Sequence, residues 1–86
     1  MNEQEMIDLI NNALAEEFEL EPDDMTAEAN LYEDLGLDSL DAVDMVVVLE
    51  QAFGFKIRED QAVREIRTLG DIYRFVAGKL QDQAEN

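Results

Sequence analysis

The run Leu35-Gly-Leu-Asp-Ser-Leu-Asp41 leads directly into Ala-Val-Asp-Met-Val-Val-Val-Leu-Glu50, and this junction constrains the fold more than any other part of the chain. Val46, Val47 and Val48 are β-branched, and on propensity alone they favour a strand. The flanking residues argue the other way. Asp38 is a good N-cap, Asp41 three positions later completes a capping-box-like pair, and Gly54 after Phe53 supplies a stop. These signals predict a helix that opens at Asp38 or Ser39 and closes near Phe53. They also place Ser39, the only serine in the chain, in its first turn between two aspartates and just after a glycine-containing turn.

The remaining apolar spacing is helical too. Met6, Ile7, Ile10, Ala13, Leu14 and Phe18 recur at three- and four-residue steps, with Pro22 and the acids around it expected to end that element. Residues 19–37 form a long connection. Leu20, Met25, Leu31, Tyr32 and Leu35 are placed to pin it to the core as an ordered loop, and Thr26 to Asn30 has room for a helical turn. After a connector at Lys56–Ile57, residues Glu59 to Ile66 read as a short helix. Thr68 with Asp71 then caps a last helix whose apolar face is Leu69, Ile72, Val76 and Leu80, flanked by Tyr73 and Phe75. The polar tail from Asp82 is expected to fray. The expectation is an all-α chain: a small four-helix bundle of three longer helices and one short one, with a long ordered loop between the first two.

At 86 residues there is room for one small domain, residues 1–86, that buries roughly 60–65% of its unfolded surface. No cysteine is present, so the fold has no disulfides and the chain no thiol chemistry of its own; a cytoplasmic setting fits. Asn2-Glu-Gln-Glu5 is no basic leader, and the apolar run Met45–Leu49 is far too short to span a bilayer. The net charge of −16 is unevenly spread: residues 1–55 contain 16 acids and no Lys or Arg, while all 6 bases lie in residues 56–86. Nucleic acid and anionic membrane surfaces are therefore disfavoured, no membrane insertion is expected, and proteins with basic patches are favoured partners that associate quickly and salt-sensitively.

Turning each residue of the second helix by 100° separates two sides. Ala42, Met45, Val46, Leu49, Ala52 and Phe53 form a core stripe. Leu40, Val43 and Val47 fall opposite, bracketed by Asp41, Asp44, Glu50 and Gln51. A helix buried nearly all round would also show this pattern. A small apolar centre ringed by acids has the anatomy of a docking patch, which is the preferred reading.

Asp38-Ser39-Leu40, with Glu33-Asp34-Leu35-Gly36 before it and a helix ending in Phe53 after it, resembles the prosthetic-group site of acyl carrier proteins, and the resemblance runs from Met6 to about Leu80. It implies that Ser39 is esterified with 4'-phosphopantetheine taken from coenzyme A, and that Asp38 assists the Mg²⁺-dependent phosphopantetheinyl transferase. It also implies that Asp41, Asp44, Val47 and Glu50 contact partner enzymes. Acyl chains would shelter among Met45, Val46, Leu49, Ile66, Ile72 and Val76, a set that periodicity assigns equally well to solid core. Gln51 and Val47 depart from the acid and the methionine frequent at those positions. Arg58, Arg64 and Arg67, where acids are common, point to a specialised carrier.

The implied function is a monomeric, non-catalytic carrier of acyl thioesters for fatty-acid, polyketide or lipid enzymes, with an aminoacyl (D-alanyl or peptidyl) carrier as the alternative. An enzyme is poorly served by this chain: histidine and cysteine are absent, Leu37 stands where a nucleophile elbow needs glycine, and no phosphate-binding loop occurs. A calcium-sensor loop starting at Asp34 would want an oxygen ligand at its third position, glycine at its sixth and glutamate at its twelfth. The chain has Gly36, Ser39 and Met45 there, so no specific metal site is expected. An acidic interaction module without a prosthetic group stays open.

Overall fold

A computed structural model of the protein describes residues 2–54 and 65–84. Among these residues the architecture is all-helical: α1 (Glu3–Phe18), a 3-10 turn at Pro22–Asp24, α2 (Ser39–Phe53) and α3 (Leu69–Ala84), with α1 packed against both other helices. The short helix expected over Glu59–Ile66, the connector Lys56–Ile57 and the side chains of Arg58 and Arg64 lie outside the described residues, except for Glu65 and the buried Ile66.

α1 begins with a capping box. The Asn2 side chain accepts from the Glu5 amide at 2.8 Å, and the Asn2 amide donates to Glu5 Oε1 at 3.2 Å. Met6, Ile10 and Leu14, four residues apart, are its buried stripe. The helix ends where the connection 19–37 was expected to begin, although Pro22 is not what ends it. It stops at Phe18, because Glu19 takes the left-handed conformation (φ 56°) and its amide turns back to the Ala15 carbonyl. Pro22 instead opens the 3-10 turn, at a first position where its missing N–H removes no bond.

The long loop is ordered through specific bonds. Met25 and Leu31 are buried as expected, and Ala29 and Leu37 join them; Leu20 and Leu35 are half-buried, whereas Tyr32 stays exposed rather than pinning the loop. The stretch 27–31 is laced to the start of α3: Gly70 N donates to Ala27 O (2.8 Å), Leu69 N to Ala29 O (3.2 Å) and Leu31 N to Arg67 O (2.8 Å), with Asn30 and Thr68 forming an isolated antiparallel bridge. The core then closes on Leu69, Ile72 and Val76 of α3, each fully buried with Ile10, Leu14, Leu31 and Leu49. Burial of each such side chain contributes about 1.5–3 kcal/mol. The polar tail begins as helix, since α3 continues to Ala84.

Thr68 and Asp71 cap α3 as their spacing predicts. The Asp71 amide donates to Thr68 Oγ1 at 3.2 Å, and Asp71 Oδ2 accepts from the amides of Arg67 (3.0 Å) and Thr68 (3.1 Å). The Arg67 amide is the main reason the Asp71 carboxyl lies below the ordinary carboxylate range. Partial burial opposes that shift, while Thr68 and the paired Arg74 guanidinium add to it. A depressed folded-state pKa stabilises the fold above the unfolded value of about 3.9, and that contribution is lost as pH falls through the lower folded value. Asp71→Asn keeps an oxygen acceptor but removes the charge at the start of α3, so it should cost roughly 0.3–1 kcal/mol at neutral pH. Urea titrations of both proteins should show the gap narrowing below about pH 4; a constant gap across the titration would contradict the ionic origin.

The charge asymmetry has a cost of its own. Sixteen acids without a base in residues 1–55 repel one another most in the compact state. Melting temperature should rise with NaCl, and more steeply with millimolar Mg²⁺, as screening shortens each charge's reach to about 8 Å at physiological ionic strength. Flat melting temperatures across low salt, NaCl and Mg²⁺ would mean that the field exerts no measurable strain on the fold.

Candidate functional site

The approach to Ser39 is built by three local devices. Asn30 Oδ1 accepts from the amides of Tyr32 (2.9 Å) and Glu33 (3.0 Å), and Asp34 Oδ2 accepts from the Asn30 amide (2.7 Å), which folds residues 30–34 into a tight turn. Gly36 then takes φ 72°. An added Cβ there would meet no neighbour, so glycine is needed for its dihedral alone. Leu37 next buries its side chain and donates its amide to the Leu31 carbonyl at 3.0 Å. The chain emerges at Asp38 in an extended conformation, ready to cap α2.

The expected capping pair is present in full. Asp38 Oδ1 accepts from the Asp41 amide at 2.9 Å, and Asp41 Oδ2 accepts from the Asp38 amide at 3.1 Å. Ser39 is the first residue of α2 and is exposed. Because Asp38 does the capping, no hydrogen bond ties the Ser39 hydroxyl to another described residue. The hydroxyl faces solvent at a helix start, where the first N–H groups and the positive end of the helix dipole favour an attached phosphate.

α2 divides as the helical turning predicts. Met45, Val46 and Leu49 are buried, while Ala42, Ala52 and Phe53 are half-buried beside them. On the other side Leu40 is 76% exposed and Val43 63%, which rules out a helix buried all round. Asp44 is exposed close by, and Asp41, Val47 and Glu50 are half-buried around the patch. Leu40, Asp41, Val43, Asp44, Val47 and Glu50 therefore lie on the open side of the helix that Ser39 begins. Sequence reasoning missed Leu37, whose burial fixes the entry to Asp38; the lone leucine after Gly36 was its only signal.

Met45, Val46, Leu49, Ile66, Ile72 and Val76 are all buried and belong to one apolar cluster. An open groove of about 610 Å³ lies elsewhere, between the start of α1 and the middle of α3, along Met6, Tyr73, Ala77 and Leu80. A shallow acidic hollow is lined by Asp23, Asp24, Glu28 and Asp34, but no group of three or more acids among the described residues is arranged to hold a metal ion.

Residues 8–76 match the family described as Phosphopantetheine attachment site. The chain belongs to the phosphopantetheine-binding, acyl carrier protein family. Among its relatives, acyl carrier protein 2 of Ralstonia nicotianae is 38% identical over 80 residues, covering 93% of this chain and 98% of the relative. The acyl carrier protein of Thermosynechococcus vestitus is 31% identical over the same shares, and that of Lactobacillus acidophilus 36% identical over 88% of this chain and 94% of its own. Phosphopantetheine is the cofactor of an acyl carrier protein, and an all-helical fold with an exposed serine at a helix start suits it. No described helix is long and apolar enough to cross a membrane.

Proposed function

We propose that residues 1–86 form one acyl-carrier domain whose 4'-phosphopantetheine is attached to Ser39. One observation carries this reading: the only serine of a phosphopantetheine-attachment chain is exposed as the first residue of a capped helix. The attached group supplies the terminal thiol that a cysteine-free chain lacks, and acyl cargo is held on it as a thioester.

The chain's own residues hold and present this group. Asp38 and Asp41 fix the helix start through their reciprocal bonds, so the Ser39 oxygen stands clear of the fold. Asp38 is the acid next to that oxygen and is assigned to recognition of the transferase and its Mg²⁺. The two carboxylates repel the phosphate, an opposition the helix N-terminus partly offsets. Leu40, Val43 and Val47, with Asp41, Asp44 and Glu50 around them, form the face offered to the phosphopantetheinyl transferase and to acyl-handling enzymes with basic patches.

The cargo belongs to fatty-acid, polyketide or related lipid synthesis in the cytoplasm, with the carrier acting as a monomer and performing no catalysis itself. Incubation with a phosphopantetheinyl transferase and coenzyme A tests the reading. Mass spectrometry should show a single added phosphopantetheine; a chain left unmodified by several transferases would support an interaction module instead.

A further inference from the structure

Gly70 lies where the start of α3 packs against the loop that leads to Ser39. It is buried, its amide bonds the Ala27 carbonyl at 2.8 Å, and a Cβ built on it would stand 2.9 Å from that same oxygen. Its backbone is ordinary right-handed helix, so glycine is needed here for space and not for an unusual dihedral. On helix propensity alone alanine would be the better residue.

We propose that Gly70 is a positioning residue for the loading of Ser39. The proposal rests on the reading of Ser39 as the loaded residue. Ala27 starts the clamp made by Gly70 to Ala27, Leu69 to Ala29 and Leu31 to Arg67. The clamp continues through Leu37 N to Leu31 O at 3.0 Å and ends at Asp38, the residue that caps α2 and precedes Ser39. Every bond in this relay is between backbone atoms, so no side-chain rotamer can absorb a displacement. A methyl group at position 70 must move the Ala27 carbonyl, and the shift passes along residues 27–37 to the Asp38–Ser39 step. Transfer to a hydroxyl depends on where the attacking oxygen stands, and a misplacement of about 1 Å can cost on the order of 100-fold in rate.

Initial rates of loading by a phosphopantetheinyl transferase with coenzyme A, read together with backbone amide NMR shifts at Asp38 and Ser39, test the proposal. For Gly70→Ala, kcat/KM should fall by about fivefold or more. Both amide signals should move, and the melting temperature should fall moderately, since the helix-propensity gain of alanine offsets only part of the cost of displacing the Ala27 carbonyl. Tyr73→Phe removes the 2.6 Å bond from Tyr73 to Asn11 that ties α3 to α1 away from the clamp. It should load at the wild-type rate with unmoved Asp38 and Ser39 signals. If Gly70→Ala does not fold, Asn30→Ala replaces it: that variant leaves the backbone relay intact but removes the Oδ1 bonds to the Tyr32 and Glu33 amides that shape the loop between Leu31 and Leu37, and it should load slowly with the same two signals displaced.

Wild-type loading by Gly70→Ala, or equal slowing in Tyr73→Phe, overturns the positioning role and leaves the Ser39 reading intact. A wild-type protein that no transferase loads overturns the Ser39 reading. The amide shifts of unloaded Gly70→Ala then decide whether position 70 still governs the Asp38–Ser39 step, and unmoved signals would overturn that coupling as well.

Discussion

Ser39→Ala should abolish attachment of phosphopantetheine while leaving the fold unchanged. The loss is complete because no other serine exists to take the group. The fold is spared because Asp38, not Ser39, caps α2 and the serine side chain is exposed. Alanine also gains slightly in helix propensity, so stability should stay within about 0.5 kcal/mol of wild type. Circular dichroism and a thermal melt should overlay those of the unloaded wild-type protein. Intact-mass spectra after transferase treatment should show the variant unmodified where the wild type is fully converted. Attachment to the variant through a threonine such as Thr26 or Thr68 would move the site elsewhere.

Lysine in place of Asp44 should slow docking to a basic partner enzyme by about tenfold at low salt, chiefly through the association rate constant. Asp44 is exposed beside Leu40 and Val43, the two large apolar side chains that α2 leaves in solvent. Rim charges of this kind steer encounter, and their reach contracts as ions are added. The difference should therefore shrink as salt rises. Glu16→Lys, an equal change of net charge on an exposed position of α1, separates local steering from overall charge. It should slow association much less. Equal slowing in both variants would show that the whole field, and not the face of α2, is recognised.

What the sequence disclosed about this molecule was mostly local. Asp38 with Asp41 and Thr68 with Asp71 announced two helix starts three residues apart in each pair, and both pairs bond as that spacing requires. The two sides of α2 were readable because a helix turns by a fixed angle, so Leu40 and Val43 had to stand opposite Met45 and Leu49. The Asn2–Glu5 capping box carried the same kind of signal and was overlooked. Non-local features were silent. Nothing in a glutamate advertises the left-handed conformation of Glu19, because any non-glycine residue pays roughly 1–2 kcal/mol there and only context imposes it. The clamp between residues 27–31 and 67–70 links segments far apart in the chain through backbone atoms, which leave no side-chain pattern. Tyr32 looked like an anchor and is exposed because the Asn30 turn carries it outward, while the unadvertised Ala29 and Leu37 take the buried places.

The central claim is that Ser39 bears the acyl-carrying arm, and the most direct measurement is peptide-level mass spectrometry of protein purified from its native source. The account predicts one phosphopantetheine, on the fragment containing Asp38-Ser39-Leu40, with part of the population extended by a hydroxylamine-labile acyl thioester. A native protein that carries no such group, or carries it on a fragment lacking Ser39, would contradict the account.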